Sequence, residues 1–411
     1  MKVAVVGGGV IGLSSALVLA RAGHAATVFE PDASLSAPSW NNAGHLAVEQ
    51  RAPLASIASI RSVGRRHFRR GGALDLPLAH ARTWVPFATR LVAAARPARF
   101  RAGTAALGGL LTEALPAWRR LTSSIGEAGL LREDGHLMVW GSPAAAATGR
   151  AAWMRAETGG ASLVPCRDED LALLRQVLGN EAAGCARFDG TGAIADLGAL
   201  HRALRRALAA AGGTIVAERA SVVRADGRAG IAGHEADAVL VAAGVGSGTV
   251  MQGLGIRAPI VAERGYHLRA AADRWPADAP PIVFEDRSMI VTRYRDTVQA
   301  ASFVEVAAPD APPDPRKWER LERHVRELGL PMEAPFTRWM GSRPTFPDYL
   351  PAIGRATSMP NLFYAFGHQH LGLTLAAVTA EAVAALVDGA ASAVDLSPFD
   401  LARFAPRKAR P

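Results

Sequence analysis

Three glycines near the start of the chain are spaced to hold a ligand that contains phosphate. Gly7, Gly9 and Gly12 follow an apolar run, VAVV, and lead into a helical pattern. In such an arrangement the first glycine permits a tight turn, the second lets a pyrophosphate approach the backbone, and the third lets the helix pack on the strand. The helix N-terminus then presents free N–H groups and the positive end of its dipole to an anion.

An acid follows at the distance that a dinucleotide requires. A second apolar run ends in Glu30, where a carboxylate can accept hydrogen bonds from an adenosine ribose. The strand, glycine turn, helix, second strand and terminal acid together favour a dinucleotide site over a glycine-rich turn of another α/β fold. These first thirty residues are typical of NAD and FAD proteins alike.

The elements that must position such a site are spread along the chain. A polar loop with the sequence SWNNAGHL (39–46) follows the second strand, and an apolar strand over 238–242 runs into Gly244. Short alternating strands over 260–306 predict an antiparallel sheet, and LLREDGHLMVW predicts a hairpin turning at 134–135. The chain closes with the strand NLFYAF, the loop GHQHLG and a helix, which we expect to contribute to the same site.

Composition and charge are those of an ordinary globular enzyme. The chain has 411 residues, 49% hydrophobic and 20% charged, which allows two domains with an ample core. The net charge of +9 includes a cluster at Arg65, Arg66, Arg69 and Arg70 that is not interleaved with stacking aromatics. A solvated basic face is favoured over nucleic-acid binding, and contact with an anionic membrane surface or a redox partner is the alternative.

Cysteine usage and hydropathy indicate the cellular compartment in which the protein is expected. Cys166 and Cys185 cannot build a disulfide framework, so a reducing compartment and a cytoplasmic location are expected, with association at the inner face of the cell membrane left open. We see no uninterrupted apolar span of about twenty residues, so an integral membrane protein is not expected. The histidines and cysteines lack ligand spacing, and no metal site is predicted.

Six motifs occur in the order found in the D-amino-acid oxidase superfamily of FAD-dependent enzymes, which the chain resembles from end to end. They are the N-terminal glycine motif, SWNNAGHL at 39–46, VAAGVGS at 241–247, ERGYHL at 263–268, GSRPTFPDYLPAIG at 341–354 and FGHQHLGLTLA at 366–376. The first and last are the most specific. Within the superfamily the chain looks most like bacterial D-amino-acid dehydrogenases, and among these like D-hydroxyproline (D-proline) dehydrogenases.

The resemblance implies an α/β fold with a discontinuous Rossmann-like FAD-binding domain and an interleaved α+β substrate domain built on an antiparallel sheet. Residues 1–50, 155–255 and 340–411 would form the FAD-binding domain. Residues 51–154 and 256–339 would form the substrate domain.

The resemblance also assigns residues to FAD. The family's covalent flavin attachment through a cysteine is not expected, because no cysteine follows Cys185. The assigned residues are Gly7, Gly9, Val10, Ile11, Gly12 and Glu30 for the ADP half, Val222 or Val223 beside the adenine, Gly244 near the pyrophosphate, Asn41, Asn42, Ala43 and Gly44 along the flavin, and Gly367, His368, Leu371, Gly372, Leu373 and Thr374 around its pyrimidine. Asn41 and Asn42 are equally well explained as turn formers.

Arg343 is the first candidate for substrate binding, because the family pairs an arginine at this point with the substrate carboxylate and a guanidinium fork suits that anion. Tyr266 and His267 are expected to line the same pocket, although Tyr266 could equally be a packed strand aromatic. His45, His368 and His370 are not expected to act as a base, since orientation and desolvation can support flavin chemistry without one.

The expected reaction is oxidation of a D-amino acid by hydride transfer from Cα to FAD. A cyclic substrate such as D-proline or cis-4-hydroxy-D-proline, giving a pyrroline carboxylate, is favoured by the GHQHLGLT loop. A glycine or sarcosine type oxidase using oxygen, a general D-amino-acid dehydrogenase and a flavin-containing binding subunit are the alternatives. The electron acceptor would be a quinone of the respiratory chain or oxygen, no nucleic-acid partner is expected, and a homo-oligomer or hetero-oligomer stays open.

Overall fold

Two sheets of different strand direction organise the chain. The computed structural model describes residues 1–32, 34–179 and 181–405. The strands are Lys2–Val6 (β1), Ala25–Phe29 (β2), His45–Leu46 (β3), Leu74–Asp75 (β4), Leu131–Arg132 (β5), His136–Trp140 (β6), Ser162–Val164 (β7), Gly184–Asp189 (β8), Gly192–Ile194 (β9), Thr214–Val216 (β10), Val222–Ala225 (β11), Arg228–Ile231 (β12), Ala238–Val241 (β13), Val261–Ala271 (β14), Ile282–Phe284 (β15), Met289–Arg293 (β16), Thr297–Ala307 (β17), Thr337–Thr345 (β18), Ala352–Arg355 (β19) and Leu362–Phe366 (β20). The α-helices are Val10–Arg21 (α1), Ile57–Arg66 (α2), Ala81–Ala94 (α3), Pro97–Ser124 (α4), Pro143–Met154 (α5), Asp168–Val177 (α6), Leu197–Ala210 (α7), Ser247–Gly253 (α8), Pro315–Glu327 (α9) and Gly372–Asp388 (α10).

The first sheet has six strands in the order β10-β2-β1-β13-β20-β19, all parallel except β19. Its central strands are apolar and buried on both faces, as covered parallel strands must be. Successive residues of β1 show this, since Val5 and Val6 belong to separate hydrophobic clusters on opposite sides. The predicted α/β unit is confirmed, and its nearest helices are α1 and α10.

The second sheet is mostly antiparallel. Its main path is β18-β14-β17-β16-β15-β6-β8-β7, and β4 pairs with β17. The antiparallel sheet expected over 260–306 is confirmed, and it extends to β18 on one side and to β6, β8 and β7 on the other. The register between β14 and β17 shifts at Arg264 and Tyr266, where β17 bulges, and Phe303 in the bulge has φ +72°.

The helix α10 lies in the core between α1 and α4. Trp118 of α4 donates its indole N–H to the carbonyl of Leu373 at 3.0 Å. The segment Gln369–Asp388 is by length and composition able to cross a membrane, although Glu381 interrupts its apolar sequence. Of its most apolar 18-residue stretch, 72% is buried inside the protein, which is equally typical of the core helix of a soluble protein.

The hairpin predicted at 134–135 is wrong. The strand β5 pairs with β9 in a small sheet with β3, whereas β6 pairs with β8 and β15 in the large sheet. The turn residue Gly135 does have positive φ, +73°, but the chain there passes from one sheet to another. A local turn signal does not determine which partner each flanking strand takes.

The two-domain division stays a prediction. Strands β7 and β8 pair in the large antiparallel sheet, although the segment 155–255 was assigned to the FAD-binding domain. Likewise β18 crosses the predicted boundary at 340. The residues 406–411 of the last predicted segment lie outside the described part of the chain.

Candidate functional site

A cavity of about 1410 Å³ extends from the carboxyl edge of the first sheet to one face of the second. Residues that follow four parallel strands line it at one end, namely Gly7 after β1, Glu30 after β2, Ala242 after β13 and Gly367 after β20. Ligands of open α/β sheets bind at this edge. At the other end the wall includes Arg343.

The glycine turn after β1 has the geometry that its sequence predicts. Gly7 has φ +110°, and a Cβ there would lie 2.6 Å from the carbonyl oxygen of Ala242. A Cβ on Gly12 would overlap the carbonyl oxygen of Gly7, so only glycine lets α1 pack this closely. Gly12 therefore supports the cavity wall from behind, while Gly9, with Val10 and Ile11, lines it.

The N-terminus of α1 faces the cavity and suits an anion. All of α1 is described, and its first turn carries no acidic residue. Ser39, the first residue of the SWNNAGHL motif, was not predicted as a site residue, but it accepts a hydrogen bond from the Val10 N–H at 3.1 Å and also lines the cavity. A serine nine residues after the terminal acid of β2 is the signal that could have identified it.

Glu30 is oriented for the ribose role that was predicted. Its carboxylate accepts hydrogen bonds from the N–H groups of Gly8 at 2.7 Å and Asp32 at 2.9 Å. Each oxygen thus keeps a free lone pair for a ligand hydroxyl. Val222 lines the same end of the cavity.

The structure fits FAD on these observations. A Cβ at Gly244, where φ is +57°, would meet no heavy atom of the described residues within 4 Å beyond its chain neighbours, so the backbone there lies open. Gly244 lines the cavity between the Gly9 turn and the second sheet. The cavity is large and continuous enough for a long dinucleotide whose two ends lie far apart.

The amide side chains of the loop 41–46 form hydrogen bonds within the loop and the segment before it. Asn41 donates to the carbonyl oxygens of Leu35 at 2.8 Å and Ala37 at 3.3 Å, and Asn42 accepts from the N–H of Gly44 at 2.9 Å. Both side chains are therefore turn formers, the alternative that the sequence left open. Asn41, Asn42 and Ala43 line the cavity, whereas Gly44 does not appear in its wall.

The segment before α10 also lines the cavity. Gly367 has φ +79°, and a Cβ there would overlap the ring of Phe346. Gly372 and Leu373, at the start of α10, line the cavity, so the positive end of the helix dipole faces it.

Leu371 and Thr374 lie behind this wall rather than in it. The Leu371 side chain is buried, and the Thr374 hydroxyl accepts from the Ala47 N–H at 3.0 Å. Thr374 thereby ties the loop after β3 to the last helix.

Arg343 reaches across the face of the second sheet into the cavity. Its side chain lies over Gly265 of the neighbouring strand β14, where a Cβ would overlap the guanidinium. One guanidinium N–H donates to the carbonyl oxygen of Phe303 at 3.2 Å. Because Phe303 is the left-handed residue of the bulge in β17, the bulge aims this carbonyl at the arginine.

Glu263, which sequence reasoning missed, is the cross-strand neighbour of Arg343. Its carboxylate accepts hydrogen bonds from the hydroxyls of Thr345 and Tyr349, each at 2.7 Å. Burial lowers the pKa of Arg343, and the negative charge of Glu263 opposes that effect. Among the described residues Arg343 forms neither an ion pair nor a hydrogen bond with Glu263, so its remaining guanidinium N–H groups are free to bind an anion.

His267 shares the cavity face with Arg343, as predicted. Its ring stacks on Trp339 with centroids 5.0 Å apart and planes 18° apart. Trp339 also lines the cavity and was missed, although it stands four residues before Arg343 on the same strand and therefore on the same face.

Tyr266 lines the cavity, as predicted, but its buried side chain is the packed strand aromatic that the sequence also allowed. Its hydroxyl donates to Glu305 at 2.6 Å and accepts from the Asp314 N–H at 3.1 Å, in a buried network with Arg264 and Lys317. Successive residues of a strand face opposite sides, so the Tyr266 side chain points away from the face that presents His267. Its hydroxyl is committed to this network and not to a substrate carboxylate.

The histidines at the cavity are poor bases. Burial lowers the pKa of His267 and of His368 to about 3, and that of His370 to about 4. The His368 ring lies 3.1 Å from the Thr379 hydroxyl, and His370 lies 2.7 Å from the amide oxygen of Gln50. These rings are neutral near pH 7 and serve as loop hydrogen-bonding groups.

Two groups of side chains could by their spacing hold a metal ion, so the prediction of no metal site stays a prediction. In one, Asp75, Glu305 and Asp314 surround the ammonium of Lys317 at 2.8 to 3.0 Å, so that ammonium supplies the positive charge. The other group consists of His45, Glu49 and His136.

The family that matches this chain is FAD-dependent by name, and two relatives similar along nearly its whole length act on D-amino acids by name. Residues 2–386 match the family described as DAO, FAD dependent oxidoreductase. A D-amino-acid oxidase of Bradyrhizobium diazoefficiens is 29% identical over 98% of this chain and 98% of its own length. A D-amino acid dehydrogenase of Cereibacter sphaeroides is 29% identical over 100% of this chain and 98% of its own length.

Among solved structures, glycine oxidase from Geobacillus kaustophilus superposes with a TM-score of 0.73 and 21% identity, over 98% of both chains. At this identity the likeness shows the shared fold alone.

Proposed function

Because this chain belongs to the DAO family of FAD-dependent oxidoreductases, we propose that it oxidises the Cα–N bond of a D-amino acid. The full-length similarity to a D-amino-acid oxidase and to D-amino acid dehydrogenases supports the choice of substrate class. The observation that carries the proposal is the single cavity that joins Glu30 and the Gly9 turn to Arg343.

FAD would be held without a covalent bond by the residues that line this cavity. Glu30 would bind the ribose, the N-terminus of α1 with Gly9 the pyrophosphate, and the N-terminus of α10 the flavin ring. When bound, FAD supplies a two-electron acceptor that takes a hydride from the substrate Cα. The dipole of α10 favours the negative charge that accompanies this reduction.

Arg343 would hold the substrate carboxylate. Its fork offers paired N–H donors, and the Phe303 carbonyl and the Gly265 surface fix its position. A fixed carboxylate, together with the cavity wall and the flavin on either side of Cα, would let the Cα–H of only one enantiomer point at the flavin.

The substrate amine would lose its ammonium proton to bulk water before the cavity closes around it, so no protein base is needed. His267, His368 and His370 have pKa values of about 3 to 4, too low for an efficient base near neutral pH. The residues of the cavity then act by orienting a neutral amine and excluding water. The product is an imine, which hydrolyses to a 2-oxo acid or, from a ring substrate, remains as a pyrroline carboxylate.

We further propose a cyclic substrate such as D-proline or cis-4-hydroxy-D-proline. The loop over 366–376 supports it through its resemblance to enzymes of that group. The stacked pair of His267 and Trp339 also supports it, because a flat wall next to Arg343 suits an aliphatic ring.

Anaerobic mixing of the FAD-loaded enzyme with cis-4-hydroxy-D-proline and with D-alanine tests the substrate. The proposal predicts faster flavin bleaching by the ring substrate, with a product that o-aminobenzaldehyde traps. Faster bleaching by D-alanine would instead favour a general D-amino-acid dehydrogenase. Bleaching by glycine and N-methylglycine, with neither D-amino acid active, would indicate a glycine or sarcosine type oxidase.

The electron acceptor needs a separate measurement. Peroxide formation in air, compared with reduction of a quinone analogue without oxygen, distinguishes an oxidase from a dehydrogenase.

A further inference from the structure

The positive charge of the chain is concentrated in one segment. Residues 51–101 contain eleven arginines and one acid, Asp75, which is buried against Lys317. The other 360 residues contain 35 basic and 36 acidic side chains. The net charge of +9 therefore arises entirely from these 51 residues.

Most of these arginines are exposed and unpaired. Nine are exposed, and within the described residues none of the nine forms an ion pair with a carboxylate. They are Arg61, Arg65, Arg69, Arg70, Arg82, Arg90, Arg96, Arg99 and Arg101. Because the segment has no exposed acid, their field is not cancelled locally.

Exposed apolar side chains occur in the same segment. Of the seven large apolar residues exposed in the described chain, four lie there: Ile57, Leu78, Val85 and Val92. Leu78 is 79% exposed. Leu78, Arg82, Val85, Thr89, Val92 and Arg96 are all exposed and follow one another at intervals of four and three residues. They share one face of α3 and its flanking turns, which we call the α3 outer face.

We propose that the α3 outer face docks on an anionic membrane surface. A helix that lies in the membrane interface presents apolar residues to the lipid and basic residues to the headgroups, as this face does. A nucleic acid is a poorer match, because no phenylalanine or tryptophan of the segment is exposed for stacking on bases: Phe68 and Phe87 are buried, and Trp84 and Phe100 are partly buried.

The inner side of α3 connects this surface to the cavity. Phe87 packs against Tyr349 with ring centroids 6.4 Å apart, and Tyr349 bonds Glu263 beside Arg343. Arg51 and Arg66 of the same segment line the cavity. Membrane docking would therefore bring the bilayer close to the wall of the reaction cavity.

Sedimentation of the FAD-loaded enzyme with vesicles tests the proposal. At 0.1 M NaCl we expect binding to vesicles of phosphatidylcholine with 30% phosphatidylglycerol, weak binding to pure phosphatidylcholine, and release at 0.5 M NaCl. An arginine near such a surface strengthens binding about fivefold, so R82Q/R96Q should bind about 25-fold more weakly. The matched pair R202Q/R224Q changes two exposed arginines outside the segment and should bind as the wild type does.

The apolar contribution has its own control. Leu78→Ser should weaken vesicle binding at least threefold, whereas Met154→Ser, at a site equally exposed at 79%, should not. Unchanged flavin content and turnover in all four variants show that they are folded. Failure to bind anionic vesicles, or equal loss in the two arginine pairs, would overturn the proposal. Retention of duplex DNA through Arg82 and Arg96 without vesicle binding would overturn it in favour of a nucleic-acid surface.

Discussion

Replacing Gly265 by alanine tests how the cavity holds the guanidinium of Arg343. The new Cβ would lie 2.6 Å from the Arg343 Cζ and 2.7 Å from one Nη, whereas side-chain Cβ contacts essentially never fall below 3.0 Å. The far end of the arginine must move. Because a flexible side chain can do so without displacing backbone, we expect little loss of global stability.

The functional cost should be much larger. Moving the fork breaks its 3.2 Å bond to the Phe303 carbonyl and misaligns one charge-assisted bond to the substrate carboxylate. Such a bond is worth about 1.5–3 kcal/mol, which corresponds to a loss of about tenfold to 150-fold in kcat/KM. The Glu30 end of the cavity is untouched, so FAD content should stay at the wild-type level.

Steady-state kinetics with the best D-amino acid, together with flavin absorbance and Tm, provide the assay. The matched control is Gly230→Ala in β12, where a Cβ would meet nothing closer than Val223 at 3.8 Å. A Gly265→Ala enzyme with kcat/KM within threefold of wild type would refute the argument that Gly265 positions Arg343.

Three further substitutions test other parts of the structure. Gly12→Ala puts a methyl group into the carbonyl oxygen of Gly7, and we expect loss of bound FAD and at least about 1 kcal/mol of stability; full FAD content at unchanged Tm would contradict this. Tyr266→Phe leaves Glu305 short of a buried donor, which should cost about 1–3 kcal/mol in urea unfolding while KM is unchanged; a raised KM at full stability would restore the carboxylate role. Burial of Glu49 opposes its ionisation, but the charge and hydrogen bond of His45, the charge of His136 and a backbone hydrogen bond together outweigh burial and hold the pKa at about 2, below the usual 4.5. A lowered carboxylate pKa stabilises the fold above about pH 4.5, and this contribution is lost as the pH falls towards 2. Over that range the free energy of unfolding should fall by up to about 3 kcal/mol more in the wild type than in Glu49→Gln. Parallel curves of unfolding free energy against pH for the two proteins would count against this.

The nucleotide end of the site was predictable because its signal is local. Gly7, Gly9, Gly12 and Glu30 lie within one strand, one turn and one helix, so their spacing determines their geometry. The antiparallel sheet was predictable from alternation.

The alternation of side chains along a strand also predicts which residues of β14 and β18 share a face. Tyr266 and His267 are adjacent in a strand, so their side chains point to opposite faces of the sheet, whereas the side chains of His267 and Glu263 share one face. The same rule applied to β18 places Trp339 on the face of Arg343.

Other features depend on contacts between distant segments and leave no local pattern. The bulge at Phe303 appears only when β17 is paired with β14, yet it supplies the carbonyl that holds Arg343. Lys317 forms ion pairs with Asp75 and Glu305, which are far apart in the sequence. The hairpin at 134–135 failed for the same reason, because long-range pairing overrode a correct turn signal.

The central claim is that this FAD enzyme oxidises a D-amino acid whose carboxylate Arg343 holds. Anaerobic mixing of wild-type and Arg343→Ala enzyme with a panel of D-amino acids, their L-enantiomers and N-methylglycine tests it most directly, with flavin absorbance as the readout. We predict bleaching of the wild-type flavin by D-amino acids, none by the L-enantiomers, and at least a hundredfold slower bleaching in the variant at equal FAD content. Equal bleaching by both enantiomers, or an Arg343→Ala enzyme as fast as wild type, would contradict it.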